Sequence, residues 1–108
     1  MKNWIAQLQD EVREWAKYNF PNAEPWEPLV GLMEEVGELS HAHLKKHQKI
    51  RINENHDAAK IDAVGDIVIY LADYCWRNGI SLPAAVSKVW TEVKQRDWQK
   101  NKEKGVSS

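Results

Sequence analysis

Ile61-Asp62-Ala63-Val64-Gly65-Asp66-Ile67-Val68-Ile69-Tyr70-Leu71 is the stretch on which the fold turns. Ile61, Val64, Val68, Leu71 and, further on, Cys75 fall at steps of three and four. Side chains at those steps share one face of an α-helix, whereas a strand would alternate with a period of two. The spacing predicts a helix over about 58–78, stopped by Asn78-Gly79, because glycine suits the left-handed residue that follows a helix end.

The same reading extends in both directions. Leu29, Met33, Val36 and Leu44 keep a helical rhythm from about Pro28 to His47, and Pro28 suits a first turn, where an N–H has no partner to lose. Residues 48–57, with Asn53, Asn55 and Asp57, read as a polar loop. Asn3 is a candidate cap for a first helix at about 4–18, marked by Trp4, Leu8, Val12 and Trp15. Pro21, Pro25 and Pro28 keep 19–28 from regular helix. Downstream, Ser81 caps a fourth helix with Pro83 in its first turn, running to about Lys100 and leaving 101–108 as a frayed tail. Four helices with short connections predict an all-α, four-helix bundle-like fold, a single domain over 1–108.

Bulk properties narrow the function classes. A chain of 108 residues has a thin margin for burying a core, so association of copies would help it. A formal charge of −1 gives no general pull toward a nucleic acid polymer or a membrane surface. The longest apolar run, Ile67 to Ala72, is far too short to span a bilayer. The single cysteine, Cys75, excludes an intrachain disulfide and reads as a buried small hydrophobe. It suits a reducing compartment, and no apolar segment of signal type follows Met1-Lys2, so a cytoplasmic location is expected. Six tryptophans are a high number for this length, and each is expected first in a core or interface.

Chemistry is concentrated in carboxylates. The second helix carries Leu32-Met33-Glu34-Glu35-Val36-Gly37-Glu38-Leu39, and the third carries Asp62 and Asp66. Glu35 with Glu38, Glu34 with Glu38, and Asp62 with Asp66 are like-charge neighbours, each pair unfavourable by roughly 0.2–0.5 kcal/mol. No Lys or Arg lies three or four residues from Glu34, Glu35 or Glu38. Both clusters adjoin apolar stripes that should pack together, so a hard divalent cation, Mg²⁺ or Mn²⁺, would resolve the repulsion. Gly37 precedes Glu38 and Gly65 precedes Asp66. A helix-interior glycine costs about 1 kcal/mol relative to alanine, which a close approach of the two helices would offset.

These motifs resemble the MazG-like, all-α nucleoside triphosphate pyrophosphohydrolase superfamily, which includes the dimeric dUTPases. Its pattern is Glu-Glu-x-x-Glu on one helix and Glu-x-x-Asp on the next, followed by an apolar run. The first stands here as Glu34-Glu35-Val36-Gly37-Glu38, and the second is represented by Asp66 and Ile67-Val68-Ile69-Tyr70-Leu71. The chain departs at Ala63, where the pattern has glutamate, and Asp62 beside it is the expected replacement ligand. The resemblance implies Glu35, Glu38 and Asp66 as metal ligands, Glu34 as the acid that orients or deprotonates water, and Tyr70 as a phosphate contact. It implies Mg²⁺-dependent hydrolysis of ribo- or deoxynucleoside triphosphates to the monophosphate and pyrophosphate, in nucleotide-pool cleansing. It also implies a homodimer or a dimer of dimers.

Lys94 and Arg96, in the basic segment 88–104, are candidates for phosphate, and Trp26, Trp15 or Phe20 for stacking on a base. Two other readings stand beside this one. Ala63 can mark an inactive homologue that binds nucleotide or a helical partner. Glu38-Leu39-Ser40-His41 is half of a di-iron motif whose second half the chain lacks.

Overall fold

A computed structural model describes residues 3–51 and 54–103. It contains four helices: α1 (Trp4–Asn19), α2 (Glu27–Gln48), α3 (His56–Arg77) and α4 (Leu82–Val93). The all-α expectation holds, and short-range hydrogen bonds explain most of the helix ends. The Asn3 side chain accepts the N–H groups of Ile5 and Ala6 at 3.0 and 3.2 Å. Ser81 Oγ accepts the N–H of Ala84 at 3.2 Å, and Asn78 closes α3 before Gly79 at φ +69°. At the two N-terminal ends side-chain oxygens satisfy amide groups that the helix leaves without a partner, and at the end of α3 the Asn78 backbone N–H and Nδ2 donate to carbonyls left free there.

Two boundaries differ from the sequence reading. α3 starts earlier, because Asn55, inside the polar stretch 48–57, accepts the N–H of Ala58 at 2.9 Å and caps the helix. α4 ends at Val93 rather than near Lys100. The N–H of Arg96 turns back to the carbonyl of Val93 at 3.0 Å. The Asp97 side chain then accepts the N–H groups of Gln99 and Lys100, offering the backbone an alternative to helix. Of the tail expected at 101–108, only 101–103 fall within the described residues.

α2 and α3 pack along their length as an antiparallel hairpin. Lys46 Nζ meets Asp57 Oδ1 at 2.6 Å near the closed end. At the open end Gly31 faces Tyr70 so closely that an added Cβ would lie 2.4 Å from the ring's Cε1. Gly31 is therefore where close approach demands glycine. Gly37 and Gly65, expected to have that role, do not: a Cβ at either meets nothing within 4 Å, because each faces open space and not the partner helix.

α1 lies on the C-terminal half of α3, and α4 touches only α1 and α3. Val12, Ala72, Cys75 and Leu82 form a small core, with Ile5, Leu8, Leu71 and Tyr74 around it. Gln9 clasps the α3–α4 turn, donating to the Ile80 carbonyl and accepting the Leu82 N–H, both at 2.8 Å. No close backbone approach joins α1 to α2, so a groove stays open between them.

The result is an open arrangement. The radius of gyration is 17.5 Å, against about 13 Å for a compact domain of this length. Accessible surface is 8480 Å², against about 6200 Å² for a compact monomer of this mass. No large side chain is fully buried among the described residues. The core reading of the tryptophans is corrected: Trp4, Trp15, Trp26, Trp90 and Trp98 are exposed and Trp76 is half-buried. α1 and α4 are covered on one side only, which leaves the aromatics of their other sides uncovered. No described helix is long and apolar enough to cross a membrane.

Candidate functional site

The groove encloses about 710 Å³ between α1, the start of α2 and α3. Its floor is a stripe of α3 with Asp66, Tyr70, Asp73 and Arg77 at steps of three and four. At 1.5 Å per residue that stripe spans about 16 Å, so the groove has two distinct ends.

One end is acidic. The antiparallel register set by Lys46–Asp57 and Gly31–Tyr70 brings Glu35 beside Asp66 and places Glu38 opposite Ala63. Partial burial pushes the Glu35 carboxyl above the ordinary glutamate range. The charges of Glu38 and Asp66, a hydrogen bond with Glu38, and the charge of Glu34 push it the same way. Three of the sequence-derived acids, Glu34, Glu38 and Asp66, thus act on the fourth, Glu35. Asp62 is absent from that group. It lies on α3 one residue before Ala63, itself only 3% exposed, and its side chain does not line the groove.

Tyr70 joins this end. Burial raises its phenol, and the negative charges of Glu35, Asp66, Glu34 and Asp73 raise it further. All these causes disfavour the phenolate, so Tyr70 offers an O–H donor at the acid cluster.

The other end is aromatic. The rings of Trp15 and Phe20 meet edge to face with centroids 5.6 Å apart. Beneath them Asp73 and Arg77 form a mostly buried ion pair, Arg77 Nε to Asp73 Oδ1 at 2.8 Å. Arg77 also donates from Nη1 to the Ala23 carbonyl and from Nη2 to the Phe20 carbonyl, tying down the chain after α1. Its guanidinium lies 4.6 Å from the centroid of the Trp76 ring, and Trp76 Nε1 donates to Asp73 Oδ1 at 2.7 Å.

The fit to a metal ion rests on donor chemistry. Among the described residues no ion pair engages Glu34, Glu35, Glu38, Asp62 or Asp66. An all-oxygen, uncompensated set on two facing helices suits a hard divalent cation. Within this one chain the carboxylates do not converge on a common centre: no group of three or more His, Cys, Asp or Glu that could hold an ion occurs among the described residues.

The remaining sequence candidates sit elsewhere. Trp26 is exposed at the start of α2 and does not line the groove, whereas Trp15 and Phe20 do. Lys94, at the C-terminus of α4, and Arg96, in the turn after it, also lie outside the groove. Sequence reading missed Asp73 and Arg77, although their i,i+4 spacing, with Trp76 between, was the available signal. No protein family, curated protein or solved structure matches this chain.

Proposed function

We propose that this chain is a nucleoside triphosphate pyrophosphohydrolase of MazG-like type, dependent on Mg²⁺ or Mn²⁺ and active as a homodimer or dimer of dimers. One observation carries the reading: Glu35 and Asp66 line one end of a groove whose other end is aromatic, and the charges of Glu38 and Glu34 act on Glu35 from beside it. That division suits a ligand with a polyphosphate at one end and a flat ring at the other.

Electrostatics decide what can enter. Among the described residues, Glu11, Glu27, Glu35, Asp66 and Asp73 line the groove against a single basic residue, Arg77. A triphosphate would be repelled unless cations accompany it. Glu35, Glu38 and Asp66 would hold the ion, and Asp62, which lies outside that group, would take part only through a rotation of the helix or a bridging water. The ion's chemistry is to neutralise phosphate charge and to acidify a bound water. Glu34 would orient the attacking water and accept its proton, and Tyr70 would donate its O–H toward a phosphate oxygen. Water then opens the α–β phosphoanhydride, leaving the monophosphate and pyrophosphate, a reaction that depends on positioning and charge more than on covalent chemistry. Removal of unwanted nucleotides is the cellular role this reaction would serve.

A second copy of the chain is supported by the surface left bare. Ile61 is 72% and Val64 51% exposed, and Met33 and Leu44 of α2 are exposed as well. The surface in excess of a compact monomer, about 2,300 Å² per chain, is on the scale of an obligate homodimer interface, about 2,000–5,000 Å² in total over both partners. Such packing would bring further groups to carboxylates that do not close around an ion in one chain.

The test is pyrophosphate release from ribo- and deoxynucleoside triphosphates, with Mg²⁺ or with EDTA, for wild type and Glu38→Ala. Release with Mg²⁺, lost in EDTA and in Glu38→Ala, is expected. Absence of release from every nucleotide by folded protein would overturn the reading.

Ala63, standing where the family pattern has glutamate, favours one rival, a nucleotide-binding homologue without turnover. Ala63→Glu separates the two. A gain of release from zero supports the rival, and release by wild type excludes it.

A further inference from the structure

The aromatic end of the groove has a chemical bias that the acid motif does not explain. Asp73 Oδ1 is saturated, accepting from Trp76 Nε1 at 2.7 Å and from Arg77 Nε at 2.8 Å. Those two bonds and the packing of the side chain, 14% exposed, fix the carboxylate plane. Its second oxygen, Oδ2, accepts no hydrogen bond from the described residues, and Asp73 lines the groove. Arg77 spends three of its five N–H groups on the protein: Nε on Asp73, one from Nη1 on the Ala23 carbonyl and one from Nη2 on the Phe20 carbonyl. Glu11, across the groove on α1, adds another acceptor. Below two exposed aromatic rings the wall therefore presents carboxylate acceptors, while three of the five Arg77 N–H groups are directed to the protein.

We propose that this end selects nucleobases by their exocyclic amino group, with Asp73 Oδ2 accepting an amino N–H of a base stacked against Trp15 and Phe20. The inference deepens the pyrophosphohydrolase reading and rests on it for the triphosphate end. Cytosine and adenine present an amino donor on the edge that would reach Asp73, and guanine presents an amino and an imino donor. Uracil and thymine present one imino N–H flanked by two carbonyls, and a carbonyl turned toward a carboxylate is repelled. A site built to accept a hydrogen bond rejects the analogue that cannot give it, because its own polar group is then left unpaired. Cytosine and uracil have nearly the same size and shape, so they isolate this effect from packing.

The experiment compares CTP with UTP at saturating Mg²⁺, by pyrophosphate release and by calorimetric binding of their non-hydrolysable α,β-methylene analogues. In wild type, cytidine is expected to exceed uridine by at least about tenfold in kcat/KM and in affinity. Asp73→Asn keeps an oxygen for Trp76 and Arg77 and puts an amide donor at the groove, so the preference should fall to near parity or reverse. Trp15→Ala should weaken both analogues to a similar degree and leave their ratio unchanged. Equal handling of the two nucleotides by wild type, with turnover intact, would overturn the amino selection and leave the pyrophosphohydrolase reading standing. Binding of neither analogue, without turnover, would remove both. A preference retained in folded Asp73→Asn would place the selection elsewhere. The wild-type comparison decides the central claim even if that variant fails to fold.

Discussion

The two halves of α3 carry one apolar stripe and meet opposite fates. In the C-terminal half Cys75 is only 4% exposed and Ala72 is fully buried, because α1 and the start of α4 cover that end. In the N-terminal half Ile61 is 72% exposed and Val64 51%, on the same rhythm of threes and fours. Ala63 is buried there, and the helix beside it is α2. The difference teaches that a periodic apolar stripe states that a face is to be covered, but not which segment, or which copy of the chain, covers it. The groove begins between these regimes: Asp66 is exposed near the bare half, and Asp73 and Arg77 are held within the packed one.

The comparison breaks most sharply if the bare half is charged. Replacing Ile61 and Val64 together by lysine should abolish the proposed oligomer while leaving helix content intact. Sedimentation velocity with circular dichroism would check this, and an unchanged assembly would show that the stripe's front half is a free surface. A smaller effect is expected in the covered half. Ala72→Leu forces volume into a filled position and should lower stability by about 1–3 kcal/mol in urea denaturation, whatever the protein concentration. A loss that varied with concentration would mean that this half, too, depends on a partner.

The glycines of the hairpin supply a finer contrast. Gly31→Ala should destabilise by about 1–2 kcal/mol, since the new methyl collides with the Tyr70 ring. It should also disturb the groove through Tyr70. Gly37→Ala meets open space, so the higher helix propensity of alanine should raise stability by up to about 1 kcal/mol, unless a second copy packs there. Thermal denaturation of the two variants side by side would decide between these outcomes.

The smallest effect belongs to the closed end of the hairpin. A hydrogen bond from Lys46, together with its charge, holds the Asp57 carboxyl below the ordinary aspartate range, and Lys60 assists. A depressed folded-state value means that the contribution is present above the unfolded value, about 3.8. It is lost as pH falls through the lower folded value. Wild type should therefore be more stable than Asp57→Asn near neutrality by a modest margin that vanishes in acid. Both side chains are exposed, and salt should shrink the difference further.

Much of the acidic end was legible in sequence. Glu34, Glu35 and Glu38 share one short segment and Asp66 stands on the next helix, so the meeting of Glu35 with Asp66 follows once the two helices form a hairpin. The cause of their close approach was not legible, because Gly31 acts on Tyr70, 39 residues further along the chain. The neighbouring Gly37 and Gly65 looked equivalent by composition alone. The choice of Trp15 and Phe20 over Trp26 as groove walls was equally hidden. Arg77 sets it by binding the carbonyls of Phe20 and Ala23 across more than 50 residues of sequence.

By itself the sequence determined the four helices, most of their ends and the grouping of acids on two of them. Those features come from energies that act within about one helical turn: side-chain caps, glycine and proline backbone preferences, and the alternation of apolar and polar residues. Only the tertiary structure decided which part of the α3 stripe is covered, which glycine is indispensable and which aromatics flank the groove. Those outcomes depend on contacts between segments far apart in the chain, where the fit of one surface to another, and not the pattern of either, sets the energy.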